Sequence, residues 1–375
     1  MSVCITVHRE PTISETFIRS HAERLGGATL LYGEVPYRDG APWSSSVVLR
    51  LYTKAMAFLS GQDRQRQVTT NYLRAFRKLR TDVVLAEYGL AGVLVMEACR
   101  RAAIPLIVHF HGYDASDKGV LTRNRDNYKA LFDMCASIVV PSRVMKESLV
   151  ALGAPFNKIF CNAYGVDCDQ FTPVNRESSA PVFLTVGRFV EKKGPHLTIL
   201  AFAELAKQVA DARLRMIGDG PLLGTCQDLV RALDIQDKVT FLGAQPHERV
   251  RKEMQQARAF VQHSVQALNG DSEGMPVSIL EASGSGLPVV STRHSGIPEI
   301  VEHEETGFLV DERDFVSMAH YMRSLALEPG LASRMGAAAR KRALAHFSMD
   351  RSIHGLWNII ENSTGKQKSK DNSIQ

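Results

Sequence analysis

The sequence predicts an α/β protein made of two Rossmann-like domains, each with a parallel sheet, facing a central cleft. Three observations predict it. Short β-branched runs alternate with longer helical patterns, as stacked βαβ units require. A polar, proline-containing stretch from Thr172 to Pro181 interrupts this alternation, which then restarts. The chain has 375 residues, 45% of them apolar, which suffices for two cores rather than one.

In the first half, apolar β-branched runs place strands near 2–8, 28–32, 82–86, 104–109, 137–140 and 158–161. Helical periodicity falls between them, near 14–25, 67–80, 89–100, 123–135 and 142–151, with Ser14 as the expected N-cap of the first helix, where it reads equally as part of a ligand-binding loop whose free amides face the cleft and as a purely structural cap. Pro36 to Ser46 is rich in Gly, Pro and Ser and is expected to be a loop. The second half opens with Val182-Phe-Leu-Thr-Val186 as a strand, followed by strands near 213–217, 238–242, 259–262, 288–291 and 308–310. Helices are expected near 195–209, 222–233, 247–257, 276–285, 297–302, 314–327 and 330–346, and again over 348–360. These signals divide the chain into domains 1–172 and 173–345, a last helix at 346–361, and a polar tail at 362–375 that lacks periodicity and is expected to be disordered.

Charge and cysteine usage narrow the function classes. Forty-five Lys and Arg against forty Asp and Glu give +5, a mild excess compatible with an anionic substrate or an anionic membrane surface. With 7% aromatics and no dense basic stripe, no nucleic-acid partner is expected; Arg64 to Arg66 and Arg74 to Arg80 read as solvated helix faces. Six scattered cysteines without a CxxC read as free thiols in a reducing compartment. The sequence runs directly into Val3-Cys-Ile-Thr-Val7 without a basic leader and hydrophobic signal segment, and no run of 18 apolar residues occurs. The expected location is cytoplasmic, a reading that also admits a peripheral protein at the inner face of the plasma membrane.

Four strand-to-helix loops of the second half carry unusual chemistry. In Val186-Gly-Arg-Phe-Val-Glu-Lys-Lys-Gly-Pro195, Arg188 follows a strand and Lys193 precedes a helix start. Such a pair suits a diphosphate clamp and equally an ordinary solvated turn. In Met216-Ile-Gly-Asp-Gly-Pro221, Gly218 permits close ligand approach or serves a structural turn, with Pro221 expected in the first helical turn. The third glycine of a dinucleotide fingerprint is replaced by Leu223. The most informative segment is Asn269 to Pro288. Glu273 precedes a helix expected to begin at Pro276, and Glu281 lies on it. The amides of Gly274, Met275 and Val277 then stand near a helix start that can face an anion, while the two carboxylates can accept from sugar and ribose hydroxyls. The fourth loop, Thr292 to Glu299, points to the same sheet edge; His294 reads equally as a cap or as lining.

In the first half, His109 and His111 end a strand before Gly112. His109 reads as a hydrogen-bonded core residue and His111 as the better placed for a ligand. The sequence supplies no further His, Cys or carboxylate cluster to complete a metal site, so no metal is expected.

Together these segments resemble the GT4 family of retaining glycosyltransferases with the GT-B fold. The likeness rests on VGRFVEKKG at 186–194, IGDGPL at 217–222, VTFLG at 239–243, EGMPVSILEASGSGLPVV at 273–290 and HSGIPEIVEHEETGFLV at 294–310, with HFHGYD at 109–114, VVPS at 139–142 and GVDCDQF at 165–171. It implies that Glu273 and the following amides hold the donor sugar and diphosphate, Glu281 the ribose, and Arg188 with Lys193 the leaving diphosphate. His111 matches the family's active-site histidine near the transferred sugar. The first domain would then face the acceptor, the second would bind the donor, and the last helix would cross back to the first domain. Two departures stand out: Pro11-Thr-Ile-Ser-Glu-Thr-Phe17 replaces the Gly-Gly loop of many members and looks like the branch that builds bacterial exopolysaccharides and lipopolysaccharides. Tyr164 stands where Asn often precedes Gly-Val-Asp.

The expected activity is transfer of a hexosyl unit from a nucleotide-diphosphate sugar to a hydroxyl of a glycan or glycolipid acceptor. The expected donor is a UDP-sugar, with a GDP-sugar as the alternative, and no cofactor is required. A transferase for small glycosides, a nucleotide-sugar epimerase and a non-catalytic sugar-binding protein are the competing readings. A well-aimed donor at the leaving phosphate contributes on the order of 3 kcal/mol to the transition state.

Overall fold

The computed structural model describes residues 1–12, 15–38, 41–42, 64–171 and 179–365, without the side chains at 37–38 and 41–42. Two compact units emerge: Met1–Ala115 and Gly119–Asn162 with the chain from Ile353, and Ser116–Lys118 with Ala163–Ser352.

The first unit contains β1 (Val3–Val7), β2 (Ala28–Tyr32), β3 (Tyr37–Arg38), β4 (Ala41–Pro42), β5 (Val83–Glu87), β6 (Leu106–His109), β7 (Ser137–Val140) and β8 (Ile159–Cys161). They form one sheet in the order β4-β3-β2-β1-β5-β6-β7-β8. The ladder from β2 to β8 is parallel, whereas β3 and β4 add an antiparallel edge. That edge corrects the loop expected from Pro36 to Ser46, of which 39–40 and 43–46 lie outside the described residues. Two-residue strands are too short to leave any alternation in the sequence.

Every residue of β1 and β5 is buried, as strands covered on both faces must be. One face (Val3, Ile5, Val83, Leu85, Ile107, Val139) packs with Leu356 and Ile360. The other face packs with α2 (Arg64–Leu79) and α3 (Gly89–Ala102) through Tyr72, Phe76, Val95 and Cys99. The first unit also contains α1 (Thr16–Arg24) and, after β6, the short α4 (Tyr113–Ser116) and α5 (Lys118–Arg123), whose residues 116 and 118 are assigned to the second unit, then α6 (Arg125–Met134) and α7 (Arg143–Ala151). The helix expected at 123–135 is therefore α6, separated from α5 at Asn124. Ser14 lies outside the described residues. The N-cap position of α1 is Glu15, not Ser14, and its carboxylate takes the Thr12 amide at 2.7 Å rather than capping the helix.

The second unit contains β9 (Val182–Val186), β10 (Arg213–Ile217), β11 (Val239–Gly243), β12 (Ala259–Gln262), β13 (Val289–Thr292) and β14 (Gly307–Val310). All pairings are parallel, in the order β11-β10-β9-β12-β13-β14. Helices α8 (Pro195–Ala206), α9 (Leu223–Ala232), α10 (His247–Gln256), α11 (Val277–Gly284), α12 (Ile297–Ile300), α13 (Phe315–Leu327) and α14 (Pro329–His346) connect them. Phe183, Phe202, Leu214, Met216, Met318 and Met322 lie in its core. The last helix, α15 (Met349–Ser363), begins in this unit, and its residues from Ile353 belong to the first. Its helical residues 362–363 correct the start of the expected disordered tail, and 366–375 lie outside the described residues.

Strand order reverses once in each sheet, between β1 and β5 and between β9 and β12. Loops at the carboxyl ends of strands beside such a reversal splay apart and leave room for a ligand. The loops after β9 and β12 carry Arg188, Lys193 and Glu273, and β5 ends on Glu87.

Candidate active site

In the second unit, the chain leaves β9 through Gly187 and makes a short turn over Glu191–Lys193. Gly194 then adopts φ 51°, with Pro195 opening α8. A side chain at Gly194 would bring its Cβ to 2.0 Å from the His263 carbonyl, so the turn needs glycine on both counts. The turn delivers Lys193 Nζ to 3.1 Å from Glu273 Oε1, and Lys192 Nζ to 2.8 Å from Asp271 Oδ1. Arg188 is exposed and has no ion-pair partner among the described residues.

Three cations thus face two carboxylates. Burial alone would raise the Glu273 pKa, but Lys193 and then Lys192, with the Lys193 hydrogen bond and His294, hold it below the usual value. Lys193 is also pushed down, by burial first and then by Lys192 and Arg188, despite the pull of Glu273. Lys193 falls chiefly through burial and Glu273 through the lysines beside it, while Lys192 and Arg188 leave more positive charge in the pocket than its two carboxylates neutralise. An arriving anion would relieve that excess.

The Glu273 loop is held from behind. Its amide donates to His294 Nε2 (3.2 Å), whose Nδ1 lies 2.6 Å from Glu312 Oε1, and the Ser295 hydroxyl donates to the Glu273 carbonyl at 2.5 Å. His294, left open between cap and lining, is therefore a buried support of this loop. Helix α11 starts at Val277, one position later than expected, so that Pro276 is its N-cap rather than its first helical residue. Pro276 is extended (ψ 113°), so its fixed φ serves the entry to the helix instead. Among the described residues, no acceptor pairs with the amides of Gly274, Met275, Val277 or Ser278, which is the state of a helix N-terminus able to receive an anion. Glu281, on α11, lies 2.8 Å from His247 Nε2, a partner that sequence reasoning missed. The hydrogen bond to Glu281 raises the His247 pKa against the opposing effect of burial.

Gly218 has φ 141°, and a Cβ there would stand 1.9 Å from the Gly187 carbonyl. Close packing of the loops after β9 and β10 accounts for this glycine without a ligand. Pro221 lies in a turn before α9, which starts at Leu223, rather than in the helix's first turn.

In the first unit, His109 and His111 do lie side by side, with ring centroids 4.2 Å apart. Both are buried, and Glu87 reaches them: Oε2 is 2.7 Å from His111 Nε2 and 3.3 Å from His109 Nδ1, while Oε1 is 2.7 Å from His21 Nδ1. This cluster corrects the expectation that no carboxylate joins the two histidines. Ligand atoms of His21, Glu87 and His109 all lie within 4.8 Å of one another, which makes them the group among the described residues able to gather round a metal ion. Asp114, also missed, accepts from the amides of Gly89 (2.8 Å), His111 (3.0 Å) and Gly112 (3.0 Å). Burial pushes its pKa up to about 6 against those amides.

Comparison with known proteins supplies the family. Residues 169–342 match the sequence profile described as Glycosyl transferases group 1, and residues 24–170 that of Glycosyltransferase Family 4. The amylovoran biosynthesis glycosyltransferase AmsK of Erwinia amylovora is 31% identical over 75% of this chain and 70% of its own. The chain belongs to glycosyltransferase family 4. An Escherichia coli relative named for colanic acid biosynthesis, WcaL, is 35% identical over 64% of this chain; the match spans 60% of WcaL's length. Among solved structures, Anabaena Alr3699/HepE in complex with UDP superposes with a TM-score of 0.78 at 17% identity, covering 96% of this chain and 100% of that one. Sucrose-phosphate synthase from Thermosynechococcus elongatus gives 0.78 at 18%, over 98% and 100%. The fold of this family member is GT-B, two Rossmann-like parallel-sheet units in one chain.

Proposed function

We propose that the protein is a retaining hexosyltransferase that uses a nucleotide-diphosphate sugar and glycosylates a glycan or glycolipid hydroxyl in bacterial polysaccharide biosynthesis. The observation that carries this reading is the pocket of the second unit: Arg188, Lys192 and Lys193 outnumber Asp271 and Glu273, beside the unpaired amides at the start of α11. Such a pocket stabilises the charge that develops on a departing diphosphate. In this reading Arg188, Lys193 and the amides of Gly274, Met275 and Val277 receive the diphosphate, Glu273 holds the sugar, and Glu281 the ribose. Gly218 and Pro276 shape the pocket through their backbones, and His111 stands near the transferred sugar. The acceptor's proton passes to a donor phosphate oxygen on the same face.

A UDP-sugar is the proposed donor, and UDP is bound in the Anabaena structure. A GDP-sugar is the second reading, favoured by the GDP-mannose-dependent alpha-(1-6)-phosphatidylinositol monomannoside mannosyltransferase of Mycobacterium tuberculosis, 30% identical over 72% of this chain and 73% of its own. The proposed setting is the cytoplasm with peripheral contact at an anionic membrane. Among the described residues no helix is long and apolar enough to cross a membrane. The net charge is +5, and Val144, Val150, Leu152, Phe156 and Phe160 are exposed within 17 residues.

Incubation with UDP-, GDP- and ADP-sugars and lipid-linked acceptors, read by product mass and anomeric NMR, tests the reading. The expected result is an axial-to-axial or equatorial-to-equatorial product, lost in Glu273→Ala. An inverted product removes retention, and a wild-type protein that consumes no donor removes the transferase.

A further inference from the structure

Glu87 has no part in the donor pocket, yet it is a fully enclosed carboxylate of the first unit, at 0% exposure. It ends β5, level with Val7 of β1 and His109 of β6, beside the reversal in strand order. An ionised carboxylate only accepts hydrogen bonds, and a buried one persists only where donors surround it. Here the donors are three imidazoles, from α1 (His21), β6 (His109) and the segment after β6 (His111). Although burial pushes the Glu87 pKa up, these histidines hold it well below the usual carboxylate range.

Two uses fit such a cluster. A tetrahedral metal ion with ligand bonds of about 2.0–2.1 Å spaces its ligand atoms about 3.3 Å apart. The contacts to His21 and His111 are 2.7 Å, each with a Glu87 oxygen as one partner, and within the group of His21, Glu87 and His109 the His109 contact, at 3.3 Å, is the one that has that spacing. The two 2.7 Å contacts have the length of a charge-assisted hydrogen bond, too short for two ligands of one ion. The geometry favours shared protons.

We infer that Glu87 is a positioning residue for His111: it accepts the Nε2 proton, fixes that tautomer, and leaves Nδ1 as the ring's lone-pair nitrogen. The rest of the surroundings fix the ring itself. Phe17 lies over it at 4.3 Å and 31°, Tyr88 meets it edge-on at 4.6 Å and 67°, and Asp114 ties its amide. Tyr88, next to Glu87 in sequence, holds φ 79°, a backbone state that a non-glycine residue keeps only where its surroundings enforce it. Its amide donates to the His109 carbonyl at 2.8 Å and its hydroxyl to Glu15 at 2.5 Å. Burial, with the charge of His109, lowers the His111 pKa to about 3, so the ring stays neutral and its tautomer, not its charge, is what Glu87 sets.

This inference rests on the reading of His111 as a residue near the transferred sugar, but its first test needs no substrate. Long-range nitrogen–proton NMR of the full-length, histidine-labelled protein is expected to show a protonated Nε2 and an unprotonated Nδ1 for His111. In Glu87→Gln the side-chain amide replaces one acceptor oxygen with a donor. The variant is expected to populate the other tautomer and to lose about 10–100-fold in kcat, with donor KM within about twofold because the donor pocket is untouched. A wild-type His111 protonated on Nδ1 overturns the inference, even if the variant fails to fold. So does a folded Glu87→Gln with unchanged tautomer and kcat, or a stoichiometric divalent ion that leaves when His21 is replaced by Ala. If wild-type protein transfers no sugar, the transferase reading fails while the NMR result still decides the tautomer.

Discussion

Lys193 and Glu273 show how one residue's worth depends on its neighbour. Lys193→Ala leaves Glu273 as a buried carboxylate with its nearest cation gone, which costs about 3–5 kcal/mol of stability. Pairing Lys193→Met with Glu273→Gln is expected to recover most of that in urea unfolding, while activity stays lost. Glu273→Gln alone is expected to lower kcat by about 10²–10³-fold. The sign of the pH effect follows from the direction of the shift. Glu273 sits below its ordinary value of 4.5 in the folded chain, so its contribution to stability is present above 4.5 and is lost as pH falls through the lower folded value. His247 runs the other way. Its pKa lies above 6.5, so the pair with Glu281 contributes fully below 6.5 and fades as pH rises through the folded value. Charged His247 holds the carboxylate proposed to take the ribose. Donor KM is therefore expected to rise as pH falls through that value, and the rise should flatten in His247→Asn; a profile identical in both proteins refutes the competition.

At the scale of single elements, loops are shaped by glycines whose missing side chains make room for neighbouring backbone. Gly194→Ala and Gly218→Ala each force a Cβ against a carbonyl at 2.0 and 1.9 Å. Each is expected to cost about 2 kcal/mol or more, read as a fall in Tm of about 4–8 °C. These loops were legible in the sequence because Gly and Pro punctuate strand ends there, and because periodicity is a local property of the chain. Arg188, Lys193, Glu273 and Glu281 could be found that way. Glu87, His247 and Glu312 could not, since each acts through a residue far along the chain: Glu87 and His21 are 66 positions apart, His247 and Glu281 34, Glu312 and His294 18. A lone Glu at the end of an apolar strand resembles any strand terminus until the sheet order sets it beside β6. The β3–β4 edge was missed for a different reason: two-residue strands carry no pattern.

Across the whole molecule, α15 gives the first unit part of its core. Leu356 and Ile360 are fully buried against the β1 and β5 face. Leu356→Ala or Ile360→Ala is expected to cost about 2–5 kcal/mol, seen as faster amide exchange in β1 and β5 with β9 and β10 unchanged. Equal acceleration in both sheets would mean that the two units unfold as one. The same helix also sets a schedule for synthesis. The first unit's strands end by Cys161, but the residues that complete its core begin at Ile353. At about 5–20 residues per second, a ribosome needs on the order of 10–40 s to travel between them. Through that interval the nascent first half presents an apolar sheet face without its cover, so chaperone dependence in the cell should track translation speed between these two points.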